Sequence, residues 1–299
     1  MTENAPNRTV LLIGATGALG SLIARELLAR GATLRLLIRE NSRHKLAGDI
    51  AEHAEIVDDA PDIFTGIDTV ISAVQGGTGT IVDAQLRWLG QARDAGVRRF
   101  IPSAFSVDFF NLDDGDNIHS DFRREFARKV PAVKGDVEIV NILNGGFLDR
   151  GVLYGFLDII NLEKHEAYLW GDGSEKMHLT TYADTAKYTA AAALDPGELP
   201  EKLYVAGDHL DFHSLVAETE VGLVQKFTVI RRGSLADLDR KIDEVSAQGP
   251  SKFSAVPYMY VRALFSGKGK LGPLSNDRYP DIHPLTVRAY TQSMMKGES

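Results

Sequence analysis

Three glycines, Gly14, Gly17 and Gly20, stand at three-residue spacing between an apolar run, Thr9 to Ile13, and a helical pattern with Leu19, Ile23 and Leu27 on one face. In the order strand, turn, helix, each glycine has a task in holding a diphosphate. One permits the tight turn, one lets the backbone approach the ligand, and one lets the helix pack closely on the strand. The diphosphate then meets unshared N–H groups at the helix start, where backbone dipoles favour negative charge. The chemistry indicated is dinucleotide binding, with Gly14, Thr16, Gly17, Ala18, Leu19 and Gly20 at the ligand. Spaced glycines alone are a weak signal, and an apolar run near an N-terminus can imitate a secretory leader. A leader would not run into a helix with Arg25, Glu26 and Arg30 on its polar side that stops at Gly31.

The second group of chemical interest is cationic. The next apolar run, Thr33 to Ile38, ends at Arg39, with Arg43 and Lys45 close behind. In a βαβ unit of this kind the end of the second strand meets the adenosine ribose, where an acidic side chain selects the free 2′-hydroxyl. Arg39, with Arg43 and Lys45, offers instead the fork and point charges that hold a 2′-phosphate, which points to NADP(H). Glu40 is an unfavourable neighbour for a phosphate, and the competing reading is that these cations are simply solvated.

The elements that must carry these residues follow from the same periodicity. Branched runs at residues 54–58, 69–74, 98–103 and 137–143 alternate with helical patterns, including one with Ile81, Trp88, Leu89 and Ala92 as its buried stripe. This predicts an α/β protein with a Rossmann-type doubly wound parallel sheet. Val74, Gln75 and Gly76 fall beyond the carboxyl end of the fourth strand, where such sheets bind ligands. Beyond about Arg150 the alternation becomes irregular and aromatic residues such as Tyr154, Tyr168 and Trp170 accumulate. The expected organisation is therefore an NADP-binding domain over residues 1–150 and a smaller substrate-binding region over 151–299, partly interleaved with it. Helices are expected from Asp184, Asp211 and Ser234, the first capped by the Asp184 side chain. The acidic stretch Asp108 to Asp116 reads as a solvated loop, and Ser266 to Gly272 as another loop.

Composition narrows the function. Across 299 residues, 33 basic and 41 acidic side chains leave a net charge of −8, which disfavours direct binding to nucleic acid or to an anionic membrane. The absence of cysteine excludes disulfides, thiol nucleophiles and sulfur-ligated zinc, and the eight histidines show no metal-ligand spacing. No run is long and apolar enough to span a bilayer, so a cytoplasmic protein is the expectation. No tyrosine is followed four residues later by lysine, the pair that ordinary short-chain dehydrogenases use to deliver a proton.

The run Arg99-Phe100-Ile101-Pro102-Ser103-Ala104-Phe105, taken with the early glycines and Arg39, resembles the isoflavone reductase and phenylcoumaran benzylic ether reductase family. That family belongs to the NmrA-like group of atypical short-chain dehydrogenases. Trp170-Gly171-Asp172-Gly173, Leu203 to Gly207 and Tyr279-Pro280-Asp281 extend the likeness over nearly the whole chain. The resemblance implies an NADP(H)-dependent reductase of a small, apolar, aromatic substrate, with Ser103, Phe105 and Phe147 at the cofactor. It also implies an acid or base lysine on the segment after the fifth strand, and there this chain carries Arg124. A guanidinium holds its proton but can steady an oxyanion, so Lys129 and His119 stand as alternative proton carriers. Asn144 is offset by one place from the family's asparagine. The other reading left open is a non-catalytic NADP(H) sensor of the NmrA type acting through a protein partner. The sequence leaves the oligomeric state open.

Overall fold

The structure is a computed structural model that describes residues 8–249 and 251–297. It divides into two compact units.

The first unit comprises Met1–Phe105, Phe122–Ile142 and Thr185–Leu203. Its centre is a sheet of β1 (Thr9–Ile13), β2 (Thr33–Leu37), β3 (Ala54–Val57), β4 (Thr69–Ser72), β5 (Arg99–Ile101) and β6 (Glu138–Ile139), all parallel, in the order β3-β2-β1-β4-β5-β6. Leu12 of β1 lies opposite Leu36 of β2 and Ile71 of β4. Successive residues Val10, Leu11 and Leu12 are all fully buried, because a parallel sheet is covered on both faces. That explains why β1 reads as a continuous apolar run rather than an alternating one. The helices are α1 (Ala18–Ala29), the single turn α2 (Gly48–Ala51), α3 (Gln85–Asp94), α4 (Ile118–Lys129) and α5 (Tyr182–Leu194). α1 buries Ile23, Ala24 and Leu27, and α3 buries Trp88, Leu89 and Ala92. The expected sixth strand is divided. β6 joins the sheet through Arg99 and Glu138, whereas β7 (Asn141–Leu143) leaves it.

Thr185–Leu203 belongs to the first unit. A buried cation joins it to the sheet. Arg99 is 0 % exposed on β5 and donates to the Glu138 carboxylate and to the carbonyls of Ala192, Asp195 and Gly197. Thr69 donates to the Ala193 carbonyl at 3.0 Å, so the end of α5 is hydrogen-bonded onto β4 and β5. Burial lowers the proton affinity of the Arg99 guanidinium, and Glu138 opposes that effect.

The second unit comprises Ser106–Asp121, Leu143–Asp184 and Tyr204–Ser299. Its strands are β8 (Gly146–Phe147), β9 (Ile160–Asn161), β10 (Glu166–Trp170), β11 (Met177–Thr180), β13 (Asp208–Leu210) and β14 (Thr228–Gly233), and β12 (Lys202–Tyr204) runs from the first unit into it. β12 pairs with β7, and two three-stranded sheets run β13-β11-β8 and β14-β10-β9. Among the described residues its longer helices are α6 (Phe212–Leu223), α7 (Leu235–Gln248), α8 (Val256–Phe265) and α9 (Val287–Lys296). Asp211 caps α6 through the Ser214 amide, and Ser234 forms a reciprocal capping box with Asp237 on α7.

Two local expectations are corrected here. Helix α5 begins before Asp184, and the hydroxyl of Thr181 accepts from the Asp184 amide at 2.9 Å. The Asp184 carboxylate instead accepts from Thr181 and from the Leu285 amide. The stretch Asp108 to Asp116 is not simply a solvated loop. Asp108, Phe109 and Leu112 are buried, Tyr204 donates to Asp108 at 2.7 Å, and Lys268 pairs with both Asp113 and Asp116. The Ser266 to Gly272 loop supplies that lysine, a match between two distant segments that neither shows alone.

Candidate functional site

The turn after β1 is built for close approach. Gly14 has φ +97°, a conformation that side chains rarely tolerate, and a Cβ there would lie 2.5 Å from the Ala73 carbonyl oxygen. A Cβ on Gly20 would lie 2.1 Å from the Gly14 oxygen, so this glycine lets α1 press against the turn. Gly17 and Ala18 are exposed, and α1 starts at Gly17 with no side-chain cap. Its first-turn amides are therefore left for an external acceptor. Thr16 and Leu19 are partly exposed on the same turn.

Arg39 and Lys45 are exposed in the segment after β2, and neither forms an ion pair among the described residues. Arg43 differs, since its guanidinium lies 2.8 Å from the Asp58 carboxylate. The order reversal between β1 and β4 places the glycine turn at the switch point of the sheet, where open α/β sheets take their ligands. The turn, the unpaired cations and the uncapped helix fit a dinucleotide carrying an extra phosphate.

Val74, Gln75 and Gly76 follow β4, and Ser103 and Phe105 follow β5. Ser103 ties these loops together, its hydroxyl donating to the Val74 carbonyl at 2.5 Å and its amide to the Gln85 side-chain oxygen at 2.9 Å. On α4, Arg123 donates to the Ser103 carbonyl at 3.0 Å. Arg124, the next residue, is 7 % exposed, whereas Lys129 is exposed and pairs with Glu125 one turn back at 2.7 Å.

The remaining predicted residues belong to the second unit. His119 packs against the rings of Phe253 and Tyr260, with centroids 5.9 and 6.4 Å away. Phe147 lies 4.3 Å from the Tyr182 ring. Asn144 is fully buried, and neither atom of its amide has a partner among the described residues. The sequence reading passed over Gln85. Its position four residues after Ile81 and four before Leu89, on an otherwise apolar stripe, was the available signal.

The family model for the NmrA-like family matches residues 6–228, about three quarters of the chain. The chain belongs to the NmrA-like family. Among curated relatives, this NmrA-like chain is 23% identical to an isoflavone reductase of Pisum sativum over 335 positions, covering 96% of the chain and 98% of the relative. Among solved structures, AtPrR2 with NADP+ and (+)-pinoresinol superposes with a TM-score of 0.78 at 21% identity, covering 96% and 98% of the two chains. The leucoanthocyanidin reductase–NADPH complex of Vitis vinifera superposes with a TM-score of 0.77 at 19% identity, covering 96% and 99%. These likenesses establish the Rossmann-type fold of the NmrA-like chain. Among its described residues, no helix is long and apolar enough to cross a membrane.

Proposed function

We propose that this NmrA-like protein is an NADP(H)-dependent reductase of a small, apolar, aromatic substrate. The observation that carries the reading is Arg39, exposed and without an ion pair after β2, on the same sheet as the uncapped start of α1. The names of its relatives, isoflavone reductase and leucoanthocyanidin reductase, support the reaction class.

A bound nicotinamide supplies the hydride. The chain holds the diphosphate on the first amides of α1, which Gly14 and Gly20 bring within reach, and holds the 2′-phosphate with Arg39 and Lys45. Val74, Gln75, Gly76, Ser103 and Phe105 orient the other half of the dinucleotide, and the family likeness adds Phe147 to the cofactor residues. Arg124 offers a guanidinium to negative charge developing on a substrate oxygen. The proton passes through water or a neighbouring side chain, with His119 and Lys129 as the candidates. The ion pair of Lys129 with Glu125 on an exposed face makes it the weaker one.

The test is NADPH oxidation by the folded protein across aromatic enones, benzylic ethers and quinones. Turnover of at least one class is expected, and NADPH binding without consumption anywhere in the panel would overturn the catalytic reading. Arg124 favours a second reading, an NADP(H) sensor, because a guanidinium cannot readily exchange a proton. A sensor retains different protein partners in NADP+ and in NADPH, and identical partner sets in the two states exclude it. The net charge of −8 argues for a protein rather than a nucleic acid as that partner.

A further inference from the structure

We propose that Gln85 is a positioning residue that sets the nicotinamide half of the dinucleotide site through Ser103 and Val74. The inference rests on the NADP(H) reading above.

Gln85 opens α3 and is 1 % exposed, on a stripe otherwise made of Ile81, Trp88, Leu89 and Ala92. An amide in that position is unfavourable unless both of its ends find partners. Both do. Nε2 donates to the Ile81 carbonyl at 2.6 Å, one turn back, and Oε1 accepts from the Ser103 amide at 2.9 Å. The turn that precedes it, Gly79–Ala84, is a π-helix rather than an α-helix, a deviation that often accompanies a functional constraint.

Ser103 stands two residues beyond the end of β5, where the parallel ladder no longer supplies an acceptor for its amide. Gln85 supplies one. The remaining groups of Ser103 are also committed, the hydroxyl to the Val74 carbonyl and the carbonyl to Arg123. A single residue thus links the loop after β4, the loop after β5, α3 and α4, and Gln85 is its buried anchor.

The strand order says which part of the ligand these loops meet. Arg39 follows β2, on one side of the switch point, and β4 and β5 lie on the other side. A dinucleotide with its 2′-phosphate at Arg39 and its diphosphate on α1 extends its second half over β4 and β5. Gln85 is too buried to touch that ligand, so it acts by fixing Val74 and Ser103.

The experiment compares two probes on the full chain by calorimetric titration: NADPH, and 2′,5′-ADP, which carries only the phosphorylated adenosine half. In Gln85→Leu, NADPH affinity should fall about tenfold or more, the scale of one well-formed hydrogen bond, while 2′,5′-ADP affinity stays within about twofold. Gln85→Glu keeps the acceptor for Ser103 and should fall between Leu and the native residue. Equal loss for both probes, or no loss for either, overturns the proposal. If Gln85→Leu does not fold, Gln85→Met serves, since it keeps the unbranched length of the side chain, removes both hydrogen bonds and should show the same selective loss. If the native chain bound neither probe, the NADP(H) reading itself would fail, whereas native binding without selective loss in the variants sinks only the role of Gln85.

Discussion

Arg43 and Asp58 form an ion pair at 2.8 Å across the segments that follow β2 and β3, which removes one of three neighbouring cations from the pool available to a phosphate. Arg39 and Lys45 retain their charge uncompensated by any ion pair among the described residues.

Arg39→Glu should therefore weaken NADPH binding by about a hundredfold, roughly two charge-assisted hydrogen bonds, and leave NADH binding nearly unchanged. Arg43→Ala should cost about threefold or less, because exposed pairs of this kind contribute little. Asp58→Ala releases Arg43 and should shift the NADPH-to-NADH preference upward. Titration of all three variants with both cofactors checks the assignment, and an equal effect of Arg39→Glu on NADPH and NADH would contradict it.

The glycines of the first turn are not equivalent. Gly14→Ala combines a φ of +97° with a 2.5 Å approach to the Ala73 oxygen, so it should lose about 1–3 kcal/mol of stability or more, together with cofactor binding. A Cβ on Gly17 meets nothing nearer than 3.5 Å, so Gly17→Ala should leave the melting temperature almost unchanged. Thermal denaturation of the two variants side by side provides the comparison.

Arg99→Met should be among the most damaging single changes outside the site. It leaves the Glu138 carboxylate and three carbonyls without their shared donor, and breaking one partner of a buried pair typically costs about 3–5 kcal/mol. Urea denaturation followed by circular dichroism would reveal the loss. A midpoint within error of the native chain would show that α5 is held to the sheet by packing alone.

The His178 and His209 rings stack at 3.9 Å, in register across β11 and β13. Burial first, then His209 and Lys270, hold the His178 proton affinity down from 6.5 to about 4. His209 is also lowered, by burial and by Lys270 and Lys176, against the pull of Asp208. The unfolded chain takes up the His178 proton as the pH drops through 6.5, while the folded chain resists until about 4. Stability should thus be complete above pH 6.5 and decline toward pH 4, by on the order of 2 kcal/mol. His178→Gln should flatten that slope in a series of melting curves. An unchanged slope would place the acid sensitivity elsewhere.

Much of the first unit was legible in the residue order. The six strands are short branched runs, α1 and α3 bury the expected stripes, and the glycine turn has the expected geometry. Less of the second unit was, since its strands are two to six residues long and pair across irregular connections. The run at 137–143 illustrates the difficulty. Its branched residues read as one strand interrupted only by Glu138 and Asn141, yet it serves two sheets, because β6 pairs beside β5 and β7 pairs with β12. Spacing could not separate Arg124 from Lys129 either, and their surroundings differ in the fold: Arg124 is buried, whereas Lys129 is exposed and pairs with Glu125.

What the sequence determined by itself are properties of contiguous residues: the handedness and tightness of a glycine turn, the face of a helix, and the burial of an unbroken branched strand. Those depend on backbone sterics and on hydrophobic periodicity, which act within a few residues. Only the tertiary structure decided that Arg43 is neutralised by Asp58, that Thr185–Leu203 belongs with the parallel sheet, and that Gln85 reaches the Ser103 amide. In each case a charge or a hydrogen-bonding group is satisfied by a partner 15 to nearly 100 positions away. The identity of such a partner is set by how the elements pack, and no local pattern encodes it.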